Sequence, residues 1–287
     1  MKIKFIMNGQ NNSFIKNRVI KDFYLNQNVT VVDDSSYDIL VCCNFCTENP
    51  SVPKNRVIGV IMEPSWSNNW DRHLDDKCGT IFVHDNSLFN FKNCKVIERP
   101  SLMFNEFYNS FEYNIKDYLT WEKPKSKKIS FVVSKNGGSN GNIIYDKRLE
   151  LVDLILKYNL PIDIYGRGWE SKGDQIKGSL NKKIDALIDY EFSIGIENSR
   201  EKNYISEKFF DPILVNTVPI YFGCPNIENV YNKNSFIHLD IEDVDRALQI
   251  LENIINLKHK DYCDLIQEAK VDYINNHNLI NEILKLI

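Results

Sequence analysis

The sequence predicts an α/β fold with two parallel sheets, and three observations carry that reading. Short β-branched runs recur from end to end, and most are apolar on both faces, as strands covered by helices on each side must be. Segments with helical spacing of apolar residues lie between several of those runs, the alternation expected of a parallel α/β architecture. The chain has 287 residues, about two domains at ~150 residues each. With 43% hydrophobic residues it has apolar material for a core in each half, which excludes wholesale disorder.

In chain order, the first half carries runs at residues 3–7, 29–32, 38–43, 57–62 and 80–84. The second carries 129–134, 162–165, 192–196, 218–222 and 236–239. A helix is expected around residues 66–74. Leu149, Val152, Ile155 and Leu156 share one helical face, as do Ile184, Leu187 and Ile188. Residues 108–128 are polar and mixed and end on WEKPKSKK, the composition of an exposed linker. The expected division is a Rossmann-like domain at 1–118, a second at 125–258, and a helical segment at 259–287 packing on or across them. Two such halves face each other across a cleft, with ligands at the carboxyl ends of the strands.

Charge and composition narrow the function classes. The net charge of -4 supplies no global basic field, so nucleic acid is not expected as a partner, although a local basic cleft for a phosphorylated small molecule is compatible with it. The longest apolar runs, such as 57–62, fall far short of the ~18 residues of a membrane span. The start, MKIKFIMNGQ, reads as a first strand and not as a signal peptide, so a cytoplasmic location is expected. Seven scattered cysteines do not suggest a disulfide framework. Cys43-Asn-Phe-Cys46 has metal-pair spacing, but no second pair follows, and buried thiols are the plainer reading. His73, His84 and His238 form no metal pair, and no Asp-x-Asp string follows a strand near a nucleotide site. No metal is therefore expected to hold a ligand.

Chemistry concentrates in residues 192–223, FSIGIENSREKNYISEKFFDPILVNTVPIYFG. An apolar strand ends at Ile196 and releases Glu197, Asn198 and Ser199 at its carboxyl end. After a loop, Ser206 reads as the N-cap of a helix from Glu207 to about Val215. A helix N-terminus offers N–H groups and positive dipole to a phosphate. Lys208 adds a mobile charge there, and Tyr204 an aromatic face or hydroxyl. An exposed helix start with a solvated Glu-Lys pair would show the same spacing. Upstream, a carboxylate at Glu63 ends an apolar strand and is followed by the stiff Pro64, either facing the cleft as a base or capping the next helix.

The segment from Glu197 onward, ENSREKNYISEKFFDPILVNTVPIYFGCPNIENVYNKNSFIHLD, resembles glycosyltransferase family 10, the α1,3/4-fucosyltransferases. The family pattern is roughly Phe-Glu-Asn-Ser, a gap, Tyr-x-Thr-Glu-Lys, a helix, Val-Pro-Val and a late Ser-Phe-Ile. Here Ile196 replaces the usual Phe, and Ser206 replaces Thr while keeping the hydroxyl. Residues 131–169 are similar to the family's strand ending in Ser-Asn, the Arg of the next helix and a Val-Asp-x-Tyr-Gly strand. Lys135 stands where Asn is usual, followed by the turn glycines Gly137 and Gly138. The string VIGVIMEPSW looks like the family's strand ending in Glu-Ser-Pro, here in the order Glu63-Pro64-Ser65.

What the resemblance implies is a metal-independent, inverting GT-B transferase, with two Rossmann-like domains across a cleft, using GDP-fucose and a glycan acceptor. It implies Glu63 as catalytic base, and Arg148 and Lys208, with the helix opened by Ser206, as the positive charge on the departing diphosphate. Asn198, Tyr204 and Glu207 are implied as donor contacts. Trp66 and Trp70, four apart, are candidate platforms for an acceptor sugar, although a helix face buried in the core is the more frequent reason for such spacing. Two readings stand beside it: a GT-B transferase using another nucleotide sugar, and a nucleotide-sugar or glycan-binding module without catalysis.

Overall fold

The structure, a computed structural model, describes residues 1–7, 9–22, 29–104, 113–135, 143–169 and 173–286. The first sheet comprises β1 (Lys2–Met7), β2 (Thr30–Val32), β3 (Ile39–Cys43), β4 (Val57–Val60), β5 (Thr80–Val83) and β6 (Lys95–Glu98). Its order is β2-β1-β3-β4-β5-β6, with every pairing parallel. The second comprises β7 (Lys127–Val132), β8 (Ile162–Tyr165), β9 (Ile176–Gly178), β10 (Tyr190–Ile196), β11 (Val218–Phe222) and β12 (Ile237–His238). Its order, β12-β11-β10-β7-β8-β9, is also all parallel. Counted from β7, this is the doubly wound arrangement whose strand order reverses between the first and fourth strands. The chain thus carries the two parallel α/β sheets that its strand pattern predicts.

Burial explains why these runs are strands. Val41, Cys42, Cys43, Val57 and Val60 are fully buried, because helices cover both faces of the first sheet. One face packs on α1 (Asn12–Asp22) through Ile15 and Val19. The other holds Leu40, Ile61, Ile81 and Leu74, the last from α2 (Leu74–Lys77). Cys43 belongs to the first layer and Cys46 to the second, so this pair with metal spacing is split across the sheet. Around the second sheet pack α3 (Ile143–Lys157), α4 (Glu207–Leu214), α5 (Val244–Ile254) and α6 (Cys263–Asp272). α6 gives Ile266 and Ala269 to the second core, whereas α7 (Leu279–Leu284) gives Leu279, Ile280 and Ile283 to the first. No helix among the described residues is long and apolar enough to cross a membrane.

Four expectations need correction. β6 and β9 have no counterpart among the expected runs, because KVIE and IKG are short edge strands with charged, partly exposed residues. The helix expected around 66–74 is a series of turns. Arg72 donates to the Ser65 and Ser67 carbonyls at 2.9 and 2.6 Å, while Ser67 N–H closes on the Pro64 carbonyl at 3.0 Å. The face shared by Ile184, Leu187 and Ile188 is a single 3₁₀ turn, Lys183–Ala186. The expected exposed linker is not exposed throughout. Ile115 and Tyr118 are buried in the second core, and Lys125 Nζ donates to the Leu187, Ile188 and Val215 carbonyls and to Thr217 Oγ1.

Candidate active site

The strand order of the second sheet reverses between β7 and β10, and an open cavity of about 550 Å³ lies at that point. Its floor is the carboxyl end of both strands, with Val132 and Ser134 on one side and Ser193 to Ile196 on the other. A crevice forms there because the helices following the two strands leave on opposite faces of the sheet. Four basic side chains line it, Arg148, Arg167, Lys183 and Lys208, against one acidic side chain, Glu207. That local excess of positive charge is hidden in the overall net charge of -4. Gly137 and Gly138 lie outside the described residues.

Arg148 reaches the cavity from the first turns of α3 and is held rigidly. Its Nη2 donates to the Glu197 carbonyl and to Asn198 Oδ1, both at 2.7 Å, and its guanidinium stacks 4.5 Å from the Tyr145 ring centroid. Its Nε is buried without a hydrogen-bond partner. Burial lowers its pKa from the usual value. A fixed guanidinium of this kind suits planar recognition of a phosphate.

Glu207 and Lys208 open α4. Burial alone would raise the Glu207 carboxyl, but Lys208 and Lys183 outweigh it and hold the group well below the usual range. Lys208 Nζ lies 3.0 Å from Glu207 Oε1, and Lys183 Nζ 3.4 Å from the same oxygen. The second oxygen, Oε2, is buried and accepts no hydrogen bond. A carboxylate paired through one oxygen and bare on the other is ready to accept from a hydroxyl-rich ligand. Lys208 is held protonated: burial opposes the charge, and Glu207 with Glu197 more than restores it.

Ser206 is the N-cap of α4, as the sequence predicts, but it is turned away from the cavity. It is fully buried, does not line the cavity, and caps α4 by accepting from Lys208 N–H at 3.3 Å. Its own N–H and hydroxyl donate to the Glu197 carboxylate at 2.7 and 2.5 Å. Tyr221 OH donates to the same carboxylate at 3.2 Å. The N-terminal end of α4 therefore already meets a carboxyl group from within the chain, the buried Glu197. Burial raises the Glu197 pKa against the pull of Lys208. Ser206 is thus a capping residue rather than a donor contact. Glu197 organises the whole strand–helix joint, and sequence reading passed over it as one of three polar residues after a strand. Arg167, Lys183 and Tyr145 were also missed. No spacing marks them, since three separate elements bring them to the cavity.

Across the cleft, Glu63 lies just beyond β4 and is half-buried. Asn44, in a left-handed conformation (φ 63°) after β3, accepts Met62 N–H on Oδ1 at 2.7 Å and so fixes the approach to Glu63. Burial raises the Glu63 pKa; Lys208 lowers it and Glu207 raises it further, so the carboxylate feels the charges at the start of α4. Tyr204 is buried, lines no part of the cavity, and packs edge-on against His84, just beyond β5, with centroids 5.2 Å apart. Trp66 is half exposed next to Glu63. Trp70, by contrast, is buried between Phe89, Phe91 and the Arg72 guanidinium, so it is a core residue and not an acceptor platform.

Residues 121–270 match the family described as glycosyltransferase family 10 (fucosyltransferase), C-terminal part, which is just over half of the chain and contains the whole cavity. The chain belongs to glycosyltransferase family 10. The α-(1,3)-fucosyltransferase FucT of Helicobacter pylori is 26% identical over 203 residues, covering 70% of this chain and 38% of that protein. The chain spans 27% to 38% of the length of the first curated relatives it matches. The crystal structure of an α1,3-fucosyltransferase with GDP-fucose superposes with a TM-score of 0.51 at 18% identity, covering 96% of this chain and 82% of that one. An α-glucosyltransferase in complex with UDP and DNA superposes with a TM-score of 0.60 at 10% identity, covering 99% and 98%. These likenesses establish the two-domain GT-B fold for this member of family 10.

Proposed function

We propose that the chain is an inverting fucosyltransferase that moves L-fucose from GDP-fucose to a glycan hydroxyl. The observation that carries the reading is the placement of Arg148, Glu207 and Lys208 around one cavity, with Glu63 of the other half close enough to feel the charges of Glu207 and Lys208. In this reading residues 1–118 hold the acceptor, 125–258 hold the donor, and 259–287 tie the two together.

The chemistry follows from charge and geometry. Glu63 takes the proton of the acceptor hydroxyl as its oxygen attacks the fucose anomeric carbon, and the GDP diphosphate leaves from the opposite face. Arg148 and Lys208, fixed before the substrate arrives, meet the charge that develops on the leaving diphosphate, which lowers the barrier without reorganisation. Glu207 Oε2 and Asn198 orient the donor. Trp66, exposed next to Glu63, is the remaining acceptor-side platform. Donor contacts through Tyr204 require the cleft to change shape, as interdomain closure would do.

Glu63→Gln keeps the size of the side chain and removes the base. Transfer is expected to fall by about 10²-fold or more, with GDP affinity measured by calorimetry within twofold of the parent. Normal turnover in this variant would remove Glu63 from the mechanism.

A further inference from the structure

Glu201 belongs to neither the donor cavity nor the turn that carries Glu63, yet it is bonded to both sides of the cleft. It lies on the loop joining β10 to α4, and its side chain is 11% exposed. Oε2 accepts Ser65 N–H at 3.0 Å and His84 Nε2–H at 2.5 Å. Oε1 accepts Ser65 Oγ–H at 3.1 Å and Ser199 Oγ–H at 2.7 Å. One carboxylate thus joins 136 residues of sequence separation to Ser65, two positions beyond Glu63. On the other side of the same turn, Arg72 holds the Ser65 and Ser67 carbonyls. His84 extends the link, because its ring packs on Tyr204 and its carbonyl accepts from Asn203 Nδ2 at 3.0 Å.

We infer that Glu201 is a positioning residue that sets the register of the Glu63 turn against the donor half, through Ser65 and His84. The inference rests on the proposed role of Glu63 as base. All four acceptor sites of the carboxylate are directed at neighbours that can move only with one half or the other, so losing it frees the turn while the donor cavity keeps all of its lining. Displacing a catalytic group by about 1 Å costs on the order of 10²-fold in rate.

The test compares Glu201→Ala, Glu201→Gln and Ser65→Ala in the full chain. GDP binding is read by calorimetry, and turnover as GDP released from GDP-fucose with an acceptor chosen from a glycan array. Limited trypsin digestion at Arg200 and Lys202 is read in parallel. Glu201→Ala should lose about 10- to 100-fold in kcat, with the KM for GDP-fucose and the GDP affinity within threefold, and cleavage at Arg200 and Lys202 should accelerate. Glu201→Gln, which keeps one acceptor oxygen for Ser65, should recover most of the loss, and Ser65→Ala should fall between. Parental kcat in Glu201→Ala overturns the inference, as does a parallel loss of GDP affinity and kcat that Glu201→Gln does not relieve. If the parent chain itself transfers no fucose, the functional reading fails, and trypsin sensitivity unchanged from parent in Glu201→Ala then overturns the clamp separately.

Discussion

Glu207 and Lys208 are adjacent in sequence, oppositely charged and both drawn into a partly dry site, so each sets the state of the other. Lys208 and Lys183 keep Glu207 ionised in spite of its burial, and Glu207 with Glu197 keeps Lys208 protonated in spite of the same burial. Glu63, across the cleft, has no such compensation in full. Burial dominates and places its pKa above the ordinary value of 4.5. A base acts only when unprotonated, so transfer should be lost as pH falls through that raised pKa. The acid limb of kcat/KM against pH is therefore expected to have its midpoint above 4.5. A midpoint at or below that value would show that another group supplies the base. Glu207 and Lys208 were legible in the sequence because they open a helix within one contiguous motif. Glu197, which the same motif contains, was not, because nothing in a sequence distinguishes a carboxylate facing solvent from one turned inward under a helix.

At the scale of the element, the joint between β10 and α4 depends on contact closer than side chains allow. A Cβ placed on Gly195 would lie 2.5 Å from the Lys208 carbonyl oxygen, which is backbone and cannot step aside. That carbonyl lacks its usual helical donor, because Pro212 stands four residues on and has no N–H. The strand and helix therefore meet backbone to backbone, and this contact brings Lys208 to the cavity floor. Gly195→Ala should shift α4, destabilise the fold by about 1–3 kcal/mol and weaken GDP binding. Unchanged thermal stability and GDP affinity would contradict this close approach. Most strands were legible for a simple reason: buried on both faces, they read as unbroken apolar runs. The edge strands β6 and β9 were not, since half of each faces water. The turns at residues 66–73 carry helical spacing of aromatics, but Arg72 and Pro64 hold their backbone in another form, a tertiary effect that spacing cannot reveal.

At the scale of the whole molecule, two sets of contacts tie the two sheets. Near the site, Glu201, Asn203 and Lys202 of the second half bond to Ser65, His84 and Glu98 of the first. The second set is a strap: α6 packs in the second core, α7 in the first, and Glu282 pairs with Arg99 at 2.7 Å. Deleting residues 279–286 would expose the place of Leu279, Ile280 and Ile283, each worth about 1.5–3 kcal/mol of burial. The first half should then unfold at a lower temperature than the second, seen as a split calorimetric transition; a single parental transition would contradict the strap. In the second half the sequence marked Arg148, Asn198, Glu207 and Lys208, which the structure gathers around one cavity. The first half was hardly readable, because Glu63 owes its setting to Asn44, Arg72 and Glu201 from scattered positions. Fucose transfer is read by offering the chain radiolabelled GDP-fucose over a glycan array, beside UDP-glucose and UDP-N-acetylglucosamine. Fucose is expected to appear on a defined set of acceptors with release of GDP, while the UDP-sugars give none. Transfer from a UDP-sugar with no fucose transferred would contradict the account.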